Sequence, residues 1–167
     1  MELSLITNDP VVARTADQAG VDRIFIDLER RGKADRQKGR KLFHSTHVSG
    51  DVGAMNRVLT QAHLMVRIDP QHDGTREQVT SVIESGADFV MLPYFQHVWQ
   101  AQDFIEFVDG RAAAVLLVET ASAAENLPIL ARPPGLSEIH IGLNDLSISL
   151  GSRFLFDLIS DGTVPAL

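Results

Sequence analysis

Ala19-Gly-Val-Asp-Arg-Ile-Phe-Ile26 and Ser85-Gly-Ala-Asp-Phe-Val-Met-Leu92 are two versions of one phrase. In each, a glycine able to stop a helix precedes an acidic turn residue and then an apolar run, which predicts a helix end, a tight turn and a buried strand. Repetition of that phrase within one chain predicts repeated βα units.

Reading outward from it, apolar runs predict strands at Glu2–Thr7, Arg23–Leu28, Leu64–Ile68, Phe89–Leu92, Ala114–Glu119 and Glu138–Ile141. Amphipathic stretches between them predict helices at Pro10–Gln18, Gly53–Gln61, Thr75–Ser85, Val98–Val108 and Ala121–Leu130, with Asp9 and Gly74 at starts and Gly20, Gly86 and Gly110 just beyond ends. Six βα units with no Gly-x-Gly-x-x-Gly after the first strand favour an α/β fold of the TIM-type (β/α) barrel over a dinucleotide-binding sheet, although an open doubly wound sheet shares the rhythm. The 167 residues predict one domain, about two βα units short of the roughly 250 residues of a closed barrel. An edge left open in that way invites association, so a homo-oligomer is expected.

Composition removes several function classes. With no cysteine, disulfides, thiolate metal sites and cysteine nucleophiles are excluded, and any metal must be held by oxygen or imidazole. A net charge of −7 argues against a nucleic-acid-binding surface. No apolar run is long enough to span a membrane and no secretory leader is legible, so a cytoplasmic location is expected. One local exception is basic: eight Lys and Arg residues fall between Arg23 and Lys41, in the least regular segment, Arg30 to Val52. It reads as a long βα loop on the catalytic face, either solvated or meeting an anionic substrate.

Reactive groups of a parallel barrel sit at the C-terminal ends of its strands. Asp27 and Glu29 end the second strand, Arg67 and Asp69 the third, Glu119 the fifth, and Asn144 and Asp145 follow the sixth. A carboxylate ending the apolar run Ala114-Val-Leu-Leu-Val-Glu119 is costly to bury alone, and a cation is one way to keep it ionised. Asp145 occupies the equivalent place one unit later, and two such carboxylates suit Mg2+ or Mn2+. Beside this stands a purely structural alternative, in which Glu119 pairs with Arg67 and Asp145 caps the following helix. Arg67 suits a carboxylate or enolate oxygen through its fork of donors, and equally suits an ion pair. Lys33, Lys38 and Lys41 are the only lysines and none lies on a predicted strand, which argues against Schiff-base chemistry. His44 and His47 lie in the irregular loop, where reaching the site is less expected than an incidental placement.

At these positions the chain resembles the HpcH/HpaI aldolase and citrate lyase superfamily. The resemblance is carried by Ala19 to Glu29, Val66-Arg-Ile68, Gly86 to Pro93, Val118-Glu-Thr120 and Ile141-Gly-Leu-Asn-Asp-Leu-Ser-Ile-Ser-Leu-Gly151. It implies a TIM barrel that forms or cleaves carbon–carbon bonds next to a pyruvate or acyl-CoA enolate. It further implies Glu119 and Asp145 as ligands of a divalent cation, Mg2+ or Mn2+, and Arg67 on the oxygens of a small carboxylate substrate. Backbone amides around Gly142 and Leu143 would help to hold that carboxylate, with Asp27 near the reacting centre. The chain also departs from the family: Arg30 stands where the aldolases carry a His, the expected general base, and Leu143-Asn144 replaces a common Pro-Ala. Asp27-Leu-Glu29 leans toward the citrate lyase side, where the basic Arg30–Lys41 stretch would suit the phosphates of an acyl-CoA. A carboxylate-binding relative without turnover is the reading outside enzymes.

Overall fold

Six short parallel strands alternate with helices in the computed structural model, which describes residues 2–33 and 45–167. The order is β1 (Ser4–Ile6), α1 (Pro10–Gln18), β2 (Arg23–Asp27), α2 (Ser49–Asn56), β3 (His63–Arg67), α3 (Thr75–Glu84), β4 (Phe89–Leu92) and α4 (Val98–Val108). There follow β5 (Ala113–Val118), α5 (Ala121–Glu125), α6 (Leu127–Leu130), β6 (Leu136–Ile141), α7 (Leu143–Ser149) and α8 (Asp157–Ser160). Each strand pairs with the next in sequence, so the sheet reads β1 to β6 without a crossover. That order belongs to a (β/α) barrel and not to a doubly wound sheet, whose strand order reverses.

Curvature can be read from one ion pair. Arg23 of β2 reaches Glu138 of β6 with donor–acceptor distances of 2.6 and 2.7 Å. In a flat sheet those strands would stand roughly 19 Å apart, four spacings of about 4.8 Å, far beyond an arginine's reach. The sheet is therefore curled, and Arg23, buried with its guanidinium 4.2 Å from the centre of the Phe89 ring, lies inside the arc. Among the described residues β1 and β6 do not pair, so the arc is open, with six βα units where a closed barrel has eight. Ile6 of β1 is 46% exposed on that open side.

Alternation assigns the two faces. Ile24, Ile26, Leu64, Val66, Val90, Leu92, Ala114, Leu116 and Val118 point outward into one large core shared with the helices. Met65, Met91, Val115 and Leu117, with Phe25 and Phe89, form a small inner core. The same parity carries Asp27, Arg67 and Glu119 to the inner face at the strands' C-terminal end, directly above that apolar layer. The glycines of the repeated phrase work as expected: Gly20 and Gly86 take φ of +86° and +102° at helix ends.

Two helices differ from their expected spans. The helix read at Gly53–Gln61 is α2, starting at Ser49 because the Asp51 carboxylate accepts the Val48 N–H at 2.8 Å. It stops early because the N–H groups of Thr60, Gln61 and Ala62 bond to the Asp17 carboxylate instead of to helix carbonyls. The helix read at Ala121–Leu130 divides at Asn126, just before Pro128, which lacks the N–H that continuous bonding requires. Strand ends shift by one or two residues. Of the irregular segment Arg30 to Val52, α2 begins inside it, and the part with Lys38, Lys41 and His44 lies outside the described residues. No helix among the described residues is long and apolar enough to cross a membrane.

Candidate active site

The C-terminal mouth of the arc holds a pocket of about 310 Å3 lined by Asp27, Glu29, Lys33, Arg67, Glu119, Gly142, Leu143, Asn144 and Asp145 over a floor that includes Phe25 and Leu117. Of the strand-end residues singled out from the sequence, Asp27, Glu29, Arg67, Glu119, Asn144 and Asp145 converge here, whereas Asp69 lines a neighbouring cavity. Asp27, Glu29, Lys33, Glu119 and Asp145 are each no more than 6% exposed.

Arg67 and Asp27 face each other across neighbouring strands, in register. Arg67 Nε donates to Asp27 Oδ1 and Nη2 to Oδ2, both at 2.8 Å, a bidentate pair. Arg67 Nε also lies 3.5 Å from Glu29 Oε2. The pairing of Arg67 with Glu119 weighed above is thus replaced by one with Asp27, because adjacent strands bring residues 27 and 67 level. Nη1 of Arg67 has no hydrogen bond among the described residues. Burial pushes the Asp27 carboxyl up, but the hydrogen bonds and charge of Arg67 and the ammonium of Lys33 outweigh it and hold the group at about 2.

Glu119 is placed by the chain on both sides of it. Thr120 caps α5 through its side chain and donates to the Phe95 carbonyl at 2.8 Å. Tyr94, held at φ +45°, turns its N–H onto Glu119 Oε1 at 2.9 Å. A left-handed backbone at a non-glycine residue is strained, and here it aims a donor into the pocket. Burial and the nearby carboxylates of Glu29 and Asp145 push Glu119 up to about 8, against the opposing pull of Arg67 and the Tyr94 N–H. Asp145 enters from the first turn of α7.

Gly142 contributes chiefly by lacking a side chain. Its N–H donates to the Val118 carbonyl at 2.9 Å and continues the β5–β6 ladder, so that amide is already committed. The Leu143 N–H, at the start of α7, has no intrahelical acceptor. A β-carbon on Gly142 would sit 2.7 Å from Glu119 Oε2 and 2.8 Å from Glu119 Cβ. The second contact cannot be relieved by rotating the carboxylate, so Gly142→Ala must move Glu119 or part the strands. We expect a loss of about 1–3 kcal/mol in stability, read from the urea midpoint. An unchanged midpoint would mean that the site yields without cost.

Two groups lie outside the pocket, Arg30 from the position where the aldolases carry a His, and His47, for which a place away from the site was the expectation. Arg30 donates from Nη2 to the His47 carbonyl at 2.8 Å and lines a neighbouring cavity. His47 accepts the Asp27 N–H on Nδ1 at 3.1 Å and borders that same cavity, supporting β2 from outside the pocket. Burial lowers its pKa, against the charges of Asp51 and Asp27.

Lys33 is the residue that the sequence reading missed. Its Nζ lies 3.0 Å from Asp27 Oδ2 and 3.2 Å from Glu29 Oε2. Two clues were available: it stands four residues after Glu29, and it follows the strand on its catalytic side.

Among the described residues that line the pocket, four carboxylates face two cations. Burial of these carboxylates close together is expressed in the raised Glu119 pKa, and a cation beside Glu119 would favour its ionised form. Oxygen donors of this kind suit Mg2+ or Mn2+. The described residues contain no cluster of three or more acidic or imidazole ligands, so water and substrate oxygens would complete the shell.

Residues 3–154 match the family model described as HpcH/HpaI aldolase/citrate lyase. No curated protein matches the chain by sequence. Among solved structures, the chain is similar to an HpcH/HpaI aldolase/citrate lyase family protein from Burkholderia cenocepacia J2315, with TM-score 0.78 and 18% identity, covering 98% of this chain and 72% of that one. It is similar to the citrate synthase SbnG, with TM-score 0.77 and 16% identity over 98% and 70% of the two chains. A third is a citrate lyase beta subunit from M. tuberculosis, complexed with oxaloacetate and magnesium, with TM-score 0.61 and 21% identity over 91% and 61%. At these identities the likeness establishes the fold.

Proposed function

Because the chain belongs to the HpcH/HpaI aldolase/citrate lyase family, we propose that it is a divalent-cation-dependent carbon–carbon lyase acting beside the enolate of a small pyruvate-like 2-oxo acid. The observation that carries this reading is the buried pocket at the catalytic end of a (β/α) barrel in which Glu119 and Asp145 come together, close enough that the Asp145 charge raises the Glu119 pKa. Glu119 and Asp145 would hold the cation, Mg2+ or Mn2+, which when bound supplies Lewis-acid stabilisation of the developing enolate charge. The fold neighbour solved with oxaloacetate and magnesium supports a 2-oxo acid and a cation of this kind.

The chain's own residues then have distinct tasks. Arg67 is fixed by its two bonds to Asp27 and offers Nη1 to the substrate carboxylate or oxo group. Asp27 positions that guanidinium and stays ionised. Phe25 and Leu117 close the floor, keeping water from beneath the reacting carbons.

Oxalate, planar and doubly charged with two adjacent oxygens, imitates the enolate and serves as a probe. In calorimetry, oxalate is expected to bind the protein only when Mg2+ or Mn2+ is present, and Arg67→Met is expected to weaken that binding by about 10- to 100-fold. Oxalate binding that ignores the cation, or its absence in the parent protein, would refute the reading.

A further inference from the structure

The proposed chemistry requires a proton to be taken from, and returned to, the carbon beside the oxo group. The groups around the pocket can be sorted by whether they are able to carry it. Arg30 is turned to the His47 carbonyl, and a guanidinium keeps its protons in any case. His47 spends Nδ1 on the Asp27 N–H and borders a different cavity. Asp27 is tied on both oxygens to Arg67, and as a carboxylate held at about 2 it is too weak a base. Glu119 and Asp145 are the proposed ligands of the cation. Among the described residues, what remains in the lining is the pair Lys33 and Glu29, buried together with Nζ and Oε2 3.2 Å apart.

Resting on the proposed function, we propose that Lys33 is the catalytic residue that carries the proton to and from the enolate carbon, with Glu29 exchanging that proton with Nζ. The ammonium has three N–H bonds; Asp27 and Glu29 are its polar partners among the described residues, and Lys33 lines the cavity that the substrate would fill. Asp27 thereby fixes the position of Lys33 as it fixes that of Arg67, which sets proton carrier and carboxylate anchor on one carboxylate.

The steps balance without any further reagent. Lys33 passes a proton to Glu29 Oε2 and, as the amine, takes a proton from the methyl carbon of the oxo acid. The C–H electron pair becomes the C=C bond of the enolate and the carbonyl π pair moves to oxygen. In carbon–carbon cleavage the amine takes the proton of the substrate hydroxyl instead, the O–H pair becomes the new C=O bond, and the breaking C–C pair forms the enolate. The ammonium then protonates the enolate carbon in either case.

Exchange of pyruvate methyl protons for deuterium, followed by proton NMR in D2O with Mg2+, isolates this step without knowledge of the second fragment. The parent protein is expected to catalyse exchange. Lys33→Arg keeps the positive charge but cannot give up its proton, so it should retain Mg2+-dependent oxalate binding within about threefold while exchange slows by about 100-fold or more. Lys33→Met should also lose exchange. Exchange at the parental rate in Lys33→Arg would overturn the inference, as would a parent that binds oxalate yet exchanges nothing. Loss of oxalate binding in Lys33→Arg would make Lys33 an anchoring cation and overturn it too. A pyruvate adduct trapped on Lys33 by borohydride would replace it with Schiff-base chemistry. Failure of the parent to bind oxalate with Mg2+ refutes the underlying reading instead.

Discussion

Glu119→Gln is expected to abolish cation-dependent oxalate binding, a weakening of about 100-fold or more, while leaving the cation-free protein at least as stable as the parent. The two halves of this result have one cause. Buried beside Glu29 and Asp145, Glu119 is pushed from an ordinary 4.5 up to about 8, so at neutral pH and without a cation it holds its proton. Glutamine has nearly the shape of that protonated acid, and its amide oxygen can still accept the Tyr94 N–H. The sign follows from linkage: the unfolded chain releases this proton near 4.5 and the folded chain near 8, so parental stability falls as pH rises through that interval. Glu119→Gln should lack this fall, as urea midpoints across pH 4 to 8 would reveal. A divalent cation must displace the same proton, so parental affinity should weaken about tenfold for each pH unit below 8. Asp145→Asn should lose cation-dependent binding to a similar extent. Binding that survives in both variants would make these carboxylates structural and refute the proposed ligand pair.

The site was legible in proportion to how far each residue's place depends on its strand. Glu119 ends an apolar run whose alternation alone turns it inward, and Asp145 follows one unit later, so both could be found from spacing. Period two along β2 and β3 likewise placed Asp27 and Arg67 on the inner face. Their mutual pairing depends on strand register, which neither strand's sequence contains, and this is why Arg67 could be assigned to Glu119 as readily as to Asp27. Lys33 was harder still, because a loop residue's direction is set by what it bonds, and its partners are known only once β2 has delivered two carboxylates to one place. The curl of the sheet belongs to the same class: the Arg23–Glu138 pair joins residues 115 apart. The βα rhythm is shared by open sheet and barrel; the missing glycine motif favoured the barrel, and the strand order decides for it.

Asp17→Ala should be the most damaging substitution outside the pocket, lowering stability by about 4 kcal/mol in urea unfolding. Nothing local favours an aspartate at this position. It lies in the last turn of α1, where the helix dipole opposes a negative charge. Its partners are distant: Oδ1 accepts from the Gln61 and Ala62 N–H groups at 2.9 and 2.6 Å, and Oδ2 from the Thr60 N–H and hydroxyl at 3.0 and 2.7 Å. Those three amides begin the chain's entry into β3, the strand that ends in Arg67. Removing the carboxylate strands them in a site where Asp17 is 1% exposed, and each buried donor without an acceptor costs about 1–3 kcal/mol. Asp17→Asn keeps the shape but turns an NH2 group toward donors, so about half the loss is expected. Burial pushes Asp17 up, yet the backbone N–H of Ala62, the Thr60 hydroxyl and the two other amides outweigh it and lower the group from 3.8 to about 2. The stabilisation is therefore complete above pH 4 and is lost as pH falls toward 2, where the parent and Asp17→Asn should converge. A gap between them that stays constant down to pH 2 would show that the bonded carboxylate is not its source.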